Sequence, residues 1–301
     1  MAYRDELAIA AVNFHAAWGE KAANCERILG LAREAAGQGA DMVLFPETAL
    51  TGYNHDGGSI AMHQRDAEPR GGPSATRLVD CARELGIWLV VGLPERDEAS
   101  GRLYNSALVT GPDGLVDCYR KIHPAKDELL WAAKGDRPCL FATPWGPVGL
   151  GICYDTYLFP EVPRHLAAMG ARLYLNPTAV SARPGWADFY YTMLRVRGVE
   201  NGLFIASANL VGEDRDMTFP GGSLVLGPGD GPIDTRYHGA PVEGREAIVL
   251  ARIDLAQSDR VRAQLPILRE NPLTGEPDWR PSIYAGLLDT VLEQEDWRHG
   301  M

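Results

Sequence analysis

The stretch PVGLGICYDTYLFPE spans residues 147–161 and contains the residue on which the interpretation of the whole chain depends. Its apolar run from Val148 to Ile152 predicts a buried strand, and Cys153 falls where that strand ends and a proline-containing turn into a helix begins. A side chain at such a junction is held by the sheet yet faces a cleft, and nearby backbone N–H groups can point at a developing negative charge. Cys153 is therefore a candidate nucleophile, and a small buried hydrophobe is the alternative.

Two further predicted strands end in reactive side chains. The apolar segment Asp41–Phe45 stops at Pro46 and brings Glu47 to the end of its strand. The sequence YNSALVTGPDGLVDCYRK predicts a hairpin whose second strand ends at Lys121. Glutamate and lysine are usually solvated surface groups, so it is their joint placement with Cys153 at strand ends that indicates a functional site.

The order of the predicted elements indicates an α/β fold. A strand at Leu7–Phe14 precedes a helix at Glu20–Gln38. A second helix, with Ser74 as its N-cap, runs to Leu85 and precedes a strand at Ile87–Glu95. Further strands and helices are predicted within residues 139–153, 160–170, 171–179, 187–201, 203–209, 223–226 and 246–255. This alternation predicts α/β layers in which helices cover at least one face of a sheet.

One domain is predicted for residues 1–263, because no break in composition divides the chain and α/β folds often reach this size as one unit. Residues 264–301 lack periodicity and are rich in Pro and Trp. We expect this segment to be a C-terminal arm that lies on the surface or on a partner subunit.

Composition excludes several classes of protein. The net charge is −11, the isoelectric point is near 5.1 and no basic cluster occurs, so we expect no nucleic-acid or membrane partner. The short apolar segment near the N-terminus follows Asp5 and Glu6, and no stretch approaches about 20 apolar residues, so neither a signal peptide nor a spanning helix is predicted. The seven histidines are scattered and the five cysteines lack C-x-x-C spacing, which predicts no metal site, no disulfide framework and a cytoplasmic location. These cysteines are Cys25, Cys81, Cys118, Cys139 and Cys153.

With these residues identified, the chain resembles the nitrilase superfamily of carbon–nitrogen hydrolases. The resemblance rests on FPE (45–47), YRKIHP (119–124), GICYD (151–155) and GGS (221–223), which follow one another in the family's order and at near-family spacing. It covers roughly residues 7–255. It implies a four-layer α-β-β-α sandwich of two sheets between helices, which pairs into a homodimer or a larger even homo-oligomer.

The resemblance also implies a catalytic set and no metal or organic cofactor. The set consists of Glu47, Lys121, Cys153 and Glu128. Since an amide carbon is a poor electrophile and a thiol is mostly protonated near neutral pH, the nucleophile needs a base, a role for Glu47. Lys121 and the backbone N–H of Tyr154 would stabilise the oxyanion, and Glu128 would assist as an auxiliary acid–base group.

Three other residues are candidates for the substrate pocket. Tyr53 and Trp145 are candidate lining residues, although aromatic side chains at strand edges more often belong to the core. Asn176 is a candidate for positioning loop backbone near Cys153, and a turn-capping role is equally compatible with its place in the sequence.

The residues after Cys153 favour one branch of the family. The CYD form is similar to the amidase and carbamoylase branches, so we expect hydrolysis of a small non-peptide amide to a carboxylic acid and ammonia. The family's C-Y-D-x-R-F-P-E reads CYDTYLFPE here and lacks an arginine that would bind a substrate carboxylate, which favours a neutral or cationic amide. N-carbamoyl amidohydrolase activity, nitrilase activity and a catalytically silent scaffold remain open alternatives.

Overall fold

Two mixed β-sheets form the centre of the protein in the computed structural model, which describes residues 3–53, 57–265, 267–268 and 270–293. In chain order the strands are β1 (Glu6–Asn13), β2 (Met42–Leu44), β3 (Trp88–Arg96), β4 (Leu103–Gly111), β5 (Gly114–Arg120), β6 (Cys139–Thr143), β7 (Gly146–Leu150), β8 (Leu173–Thr178), β9 (Phe204–Asn209), β10 (Val211–Asp214), β11 (Met217–Pro228), β12 (Thr235–Glu243) and β13 (Ala247–Asp254). The first sheet has the order β13-β1-β2-β3-β4-β5, and the second has the order β10-β11-β9-β8-β7-β6 with β12 paired to β11.

Both sheets have a parallel centre and antiparallel edges. In the first sheet β1, β2 and β3 are parallel, whereas β13, β4 and β5 pair antiparallel with their neighbours. In the second sheet β7, β8 and β9 are parallel, whereas β6 and β11 pair antiparallel at either side. The parallel strands are buried on both faces, as expected for strands covered on both sides.

Helices cover the outer faces of the two sheets. In chain order they are α1 (Lys21–Gly37), α2 (Gly57–Asp66), α3 (Pro73–Leu85), α4 (Tyr154–Tyr157), α5 (Glu161–Ala168), α6 (Trp186–Asn201), α7 (Ala256–Gln264) and α8 (Pro281–Glu293). Helices α1 and α3 pack on the first sheet, and α5 and α6 pack on the second. The predicted α/β sandwich with two sheets between helices is therefore confirmed. Within the described ranges, no helix is both long and apolar enough to cross a membrane.

Alternate residues of the central strands of the first sheet belong to two different cores. Along β1, Leu7 and Ile9 join the core between the two sheets, whereas Ala10 and Val12 join the core beneath α1 and α3. This alternation follows from the two-residue period of a strand and fixes the register of β1 against both layers.

The predicted elements agree with the structure to within a few residues at most ends, apart from one helix start and several elements that were not predicted. The helix predicted to begin with Ser74 as N-cap begins at Pro73 with Gly72 as its N-cap. Ser74 lies inside the helix, and both its N–H and its hydroxyl donate to the Glu68 carboxylate. Elements that were not predicted are α2, α4, α7, β10 and β12. The predicted arm contains α8, and its place on a partner subunit stays a prediction.

The first sheet presents Glu47 through a close approach of two chain segments. Glu47 lies in the turn after β2, and that turn crosses β3 at Gly92. A Cβ atom on Gly92 would lie 2.3 Å from the Pro46 carbonyl oxygen and 2.7 Å from the Glu47 Cα atom, both backbone atoms that cannot move alone. The absence of a side chain at Gly92 therefore allows the Glu47 turn to pack against the sheet.

We predict that Gly92→Ala lowers the free energy of unfolding by roughly 1–3 kcal/mol, because the added methyl group overlaps the Glu47 turn. Gly30→Ala is the matched control: its Cβ would contact nothing within 4 Å in α1, and the change should raise stability by up to about 1 kcal/mol. Urea unfolding followed by circular dichroism measures both. A Gly92→Ala protein as stable as wild type would contradict this account of the turn.

Candidate active site

A buried network of three charged side chains lies at the ends of β2 and β5. Lys121 Nζ is 2.6 Å from Glu47 Oε1 and 2.7 Å from Glu128 Oε2, and all three side chains are fully buried. Such charges are tolerated without water only when they are paired and hydrogen-bonded. The three residues named from the sequence motifs therefore meet in one cluster although 81 positions separate the first from the last.

Asn105 completes this network and was missed by the sequence analysis. Its Nδ2 donates to Glu47 Oε1 at 2.7 Å and to Glu128 Oε1 at 2.6 Å, and its backbone carbonyl oxygen accepts from the Lys121 backbone N–H at 2.8 Å. The signal in the sequence is a polar residue inside the otherwise buried strand LYNSALVTG. The amide holds both carboxylates at a fixed distance from the ammonium group.

Glu128 is held by its own loop. It lies in a short 3₁₀ helix, Lys126–Leu130, whose preceding Ala125 N–H donates to the Glu128 carboxylate. The same loop returns to the end of β5 at Gly135, whose N–H donates to the Lys121 carbonyl at 2.8 Å. A Cβ on Gly135 would lie 2.1 Å from the Arg120 carbonyl oxygen, so the loop closes on the strand only with glycine at this position.

Cys153 occupies a strained turn between β7 and α4. Its φ angle is +48°, which is unusual for a residue with a side chain, and the side chain is 7% exposed. Its N–H donates to the Pro177 carbonyl at 3.0 Å and to Asn176 Oδ1 at 3.1 Å. Among the described residues the Tyr154 N–H has no hydrogen-bond acceptor, so this donor beside the thiol is available to a ligand.

Asn176 is the centre of the hydrogen bonds that hold the Cys153 turn. Its Oδ1 accepts from the Cys153 N–H and from the Thr156 hydroxyl at 2.7 Å, while its Nδ2 donates to Tyr157 and to Ser207, each at 2.8 Å. All four bonds of the amide group are buried. Asn176 thus contacts the Cys153 backbone through its side chain, which is one of the two roles that the sequence left open.

Asp155 joins the Cys153 turn to the segment that contains Lys121, and the sequence analysis assigned it no such role. Its buried carboxylate accepts from the Tyr119 hydroxyl at 2.8 Å, from the His123 N–H at 2.9 Å and from the Ile152 N–H at 3.1 Å. Its Oδ1 also lies 2.8 Å from His123 Nδ1. The two strand ends that belong to different sheets are therefore linked through one carboxylate.

Burial and mutual charge shift the pKa values of this cluster. Burial raises the pKa of Glu47 to about 7, with Lys121 opposing the rise and Glu128 adding to it. Burial and the charge of Glu47 raise the pKa of the Cys153 thiol to about 12, with Lys121 opposing. Burial alone would lower the pKa of Lys121, but the Glu128 and Glu47 carboxylates outweigh it and keep that pKa well above its usual range. At neutral pH Lys121 is therefore charged, the thiol is protonated, and Glu47 is near its titration point.

One oxygen of Glu47 is left available. Its Oε1 accepts from Lys121 and Asn105, whereas its Oε2 is buried and has no hydrogen-bond partner among the described residues. A buried acceptor without a partner is costly unless a ligand or a proton occupies it. This oxygen can accept a proton from a nearby group.

Tyr53 and Trp145, the two aromatic candidates for the pocket, lie at opposite ends of the strands that they adjoin. Tyr53 is buried near the cluster: burial raises its pKa, and the charges of Glu128, Glu47 and Cys153 raise it further. Trp145 lies outside the cluster because it precedes β7, whereas Cys153 follows β7. Its indole N–H donates to the Glu6 carbonyl at 2.7 Å, which fixes it beneath the start of β1.

Comparison with known sequences finds a matching family model and relatives with similar sequences. The model of the carbon-nitrogen hydrolase family matches residues 8–263. The human protein named omega-amidase NIT2 is 35% identical over 262 residues, which cover 83% of this chain and 90% of that protein. A protein of Pyrococcus abyssi named nitrilase is 34% identical over 226 residues, which cover 75% of this chain and 81% of that protein.

Solved structures give the same fold. The crystal structure of Nit3 from Saccharomyces cerevisiae, a member of branch 10 of the nitrilase superfamily, superimposes with a TM-score of 0.78 at 24% identity, covering 88% of this chain and 96% of that one. A mutant of the amidase from Nesterenkonia sp. AN1 superimposes with a TM-score of 0.73 at 26% identity, covering 87% and 95%. That structure has the acetamide moiety of fluoroacetamide covalently attached to its active-site cysteine.

Proposed function

The chain belongs to the nitrilase superfamily of carbon–nitrogen hydrolases, and from this premise we propose that it hydrolyses a small non-peptide amide to a carboxylic acid and ammonia through a cysteine thioester. One observation carries the proposal. Cys153 lies within the electrostatic influence of a buried pair of Glu47 and Lys121, and Glu47 keeps one unpaired oxygen. A carboxylate with one open oxygen, close enough to a protonated thiol to raise the pKa of that thiol, is an arrangement that can activate a nucleophile.

Activation of the thiol is the first step. Because the pKa of Glu47 is near 7 and that of Cys153 is near 12, the free thiolate is scarce and forms as Glu47 Oε2 takes the proton during attack. The positive charge of Lys121 favours the thiolate over the thiol. Glu47 therefore acts as general base and ends this step protonated.

Attack of the Cys153 sulfur on the amide carbon forms a C–S bond and a tetrahedral oxyanion. The ammonium group of Lys121 and the unoccupied N–H of Tyr154 are the donors for this oxyanion. Lys121 is held by Glu47 and Glu128 before substrate arrives, so little reorganisation is needed when the negative charge develops.

Collapse of the tetrahedral intermediate breaks the C–N bond. The leaving nitrogen takes the proton from Glu47 and departs as ammonia, which leaves a thioester on Cys153 and an ionised Glu47. Glu47 then removes a proton from water as the water attacks the thioester, and that proton returns to the Cys153 sulfur as the carboxylic acid leaves. Glu128, through its contact with Lys121, holds the ammonium group in place throughout.

Amide hydrolysis is favoured over the other reactions of the family by the CYD sequence after the nucleophile and by relatives named omega-amidase and amidase. Nitrile and N-carbamoyl substrates remain alternatives, and the relative named nitrilase is the reason for keeping the first. A silent scaffold is disfavoured, because a protein without activity has no need to bury three charges beside a strained cysteine.

We predict that Cys153→Ala lowers ammonia release from butyramide by at least about 1,000-fold, because no covalent intermediate can form. Intact-protein mass spectrometry should find an acyl adduct on wild type and none on the variant. The matched control is Cys81→Ala, which removes a buried thiol from α3 and should keep wild-type activity. A nitrile and an N-carbamoyl compound tested in parallel would identify the branch.

Equal ammonia release by wild type and Cys153→Ala would contradict the mechanism. Release of hydroxamate in place of acid when hydroxylamine is added would support the thioester, since hydroxylamine intercepts an acyl group that water otherwise takes. If no substrate of the panel reacts with wild type, the scaffold interpretation is favoured.

We predict that Glu128→Gln moves the rising limb of the kcat/KM–pH profile to lower pH. In wild type this limb should lie near pH 7, where Glu47 loses its proton. The Glu128 carboxylate raises the pKa of Glu47, so removing that charge lowers the pKa, and the base is ionised at lower pH. Asp127→Asn, an exposed neighbour, is the control and should leave the limb unchanged. A limb that stays near pH 7 in Glu128→Gln would count against Glu47 as the base.

We also propose that the protein forms a homodimer or a larger even homo-oligomer. The support is an exposed apolar surface on the outer helices, formed by Leu158, Phe189 and Val196, of which the last two are seven residues apart on α6 and share one face. Sedimentation velocity of wild type and Phe189→Glu measures this directly. Equal, monomeric sedimentation of both proteins would reject the proposal.

A further inference from the structure

The two proposed donors for the oxyanion come from different sheets. Lys121 follows β5 at the edge of the first sheet, and the Tyr154 N–H follows β7 of the second sheet. Donors stabilise an oxyanion when both lie about 2.7–3.1 Å from the position of its oxygen. Their separation therefore depends on the contacts that join the two sheets at this edge.

Each donor is held within its own half of the site. The Lys121 ammonium group is bound by two carboxylates of the buried network, at 2.6 and 2.7 Å. The Cys153 N–H, which precedes the Tyr154 N–H in the turn, donates to Asn176 and Pro177, both in β8 of the second sheet. These contacts do not fix the position of one donor relative to the other.

Asp155 makes the contacts that cross between the two halves. Its Oδ2 accepts from the Tyr119 hydroxyl at 2.8 Å, and its Oδ1 accepts from the His123 N–H at 2.9 Å. Tyr119 and His123 lie two residues before and two residues after Lys121, so the carboxylate holds this segment on both sides of the lysine. Its Oδ2 also accepts from the Ile152 N–H at 3.1 Å, which fixes the carboxylate to its own turn.

No other hydrogen bond makes this connection in the part of the chain that the structure describes. Every hydrogen bond between residues 119–123 and residues 151–159 has the Asp155 carboxylate as its acceptor. Apolar packing also holds the sheets together, but it is non-directional, whereas a hydrogen bond weakens steeply when its geometry is disturbed. The carboxylate is thus the directional contact between the segments that contain the two donors.

His123 strengthens this connection from the side of the first sheet. Its Nδ1 lies 2.8 Å from Asp155 Oδ1, so the imidazole donates through Nδ1 to the carboxylate. Its ring stacks on Phe159 with centroids 3.5 Å apart, and Phe159 packs edge-on against the Tyr154 ring at 5.4 Å. A second path, made of aromatic rings, therefore connects His123 with Tyr154.

Asparagine cannot reproduce the contacts of Asp155, although it has nearly the same size. Each carboxylate oxygen accepts from a backbone N–H, Oδ1 from that of His123 and Oδ2 from that of Ile152. In asparagine an NH2 group replaces one oxygen, and it would face a backbone N–H in either orientation of the amide. Two donors that face each other repel, so one side of the connection would open.

We propose that Asp155 is a positioning residue that sets the distance between Lys121 and the Tyr154 N–H, and that His123 holds its carboxylate in place. The inference rests on the proposed amide hydrolysis and adds the residue that aligns the two oxyanion donors. A misplacement of about 1 Å can cost on the order of 100-fold in rate. Because these donors meet charge that develops only in the transition state, loss of Asp155 lowers kcat more than it raises KM.

Hydrolysis of butyramide by Asp155→Asn tests the proposal. The kcat per folded site should fall by roughly 10–100-fold, and KM should stay within about threefold. Folded sites are counted by intact-protein mass spectrometry after complete reaction with iodoacetamide. A folded molecule should take one label, at Cys153, and an unfolded one five, because the other four thiols are buried in the apolar cores and have no role in the proposed site.

Two variants of His123 separate the hydrogen bond from the ring. His123→Ala removes both and should lower kcat by about 10-fold, the scale of a hydrogen bond to a charged group. His123→Asn restores an N–H donor near the position of Nδ1 without the ring, and it should recover part of the loss. His165→Ala, which removes an exposed histidine from α5, is the matched control and should leave kcat and KM unchanged.

These measurements distinguish alignment from a structural role. If Asp155→Asn has fewer folded sites but the wild-type kcat per site, or if KM rises while kcat stays the same, the inference is rejected and amide hydrolysis stands. If Asp155→Asn does not fold, the His123 variants decide, and a wild-type kcat in His123→Ala rejects the inference. If wild type hydrolyses no amide, the proposed function fails, and this inference fails with it.

Discussion

Lys121, held between the carboxylates of Glu47 and Glu128 with no exposure to water, is the interaction on which the structure depends. Each of these charges alone would be costly to bury, and removal of one partner from a buried ion pair typically costs about 3–5 kcal/mol. The three residues come from the end of β2, the end of β5 and a 3₁₀ helix, so the cluster forms only when these elements are in place. The site therefore assembles only when these parts of the chain fold together.

The sequence predicted the elements well because local signals define them. Apolar runs mark β2 and β7, and the turn of residues 111–114 marks the hairpin of β4 and β5. Each reactive side chain lies within three residues of the end of its strand. The roles of Asn105 and Asp155 could not be predicted, because they depend on contacts with residues that are far away in the sequence. Asn105 meets Glu47 across 58 positions, and Asp155 meets Tyr119 across 36, distances over which no local pattern carries information.

The two aromatic candidates illustrate a related limit. Both Tyr53 and Trp145 lie close in sequence to a strand that leads into the site, so this closeness does not distinguish them. Tyr53 follows the turn after β2, whereas Trp145 precedes β7 and so lies at the opposite edge of its sheet. In open sheets of this kind, ligands bind beyond the carboxyl ends of the parallel strands, and this rule of direction distinguishes the two residues.

The reacting groups lie at the ends of strands, where the backbone is more constrained than in the neighbouring loop. Cys153 holds a strained backbone angle, at a cost on the order of 1–3 kcal/mol, and Asn176 and Asp155 offset this cost with buried hydrogen bonds. Changes there would disturb every reaction that the site can perform. The loop of residues 179–185 is anchored by Val180 at Asn209 and by Ala182 at Thr218, and its exposed residues beyond these contacts can change while the strained turn stays intact. Exposed residues beside the site are therefore free to vary within this fold while the reacting groups remain fixed.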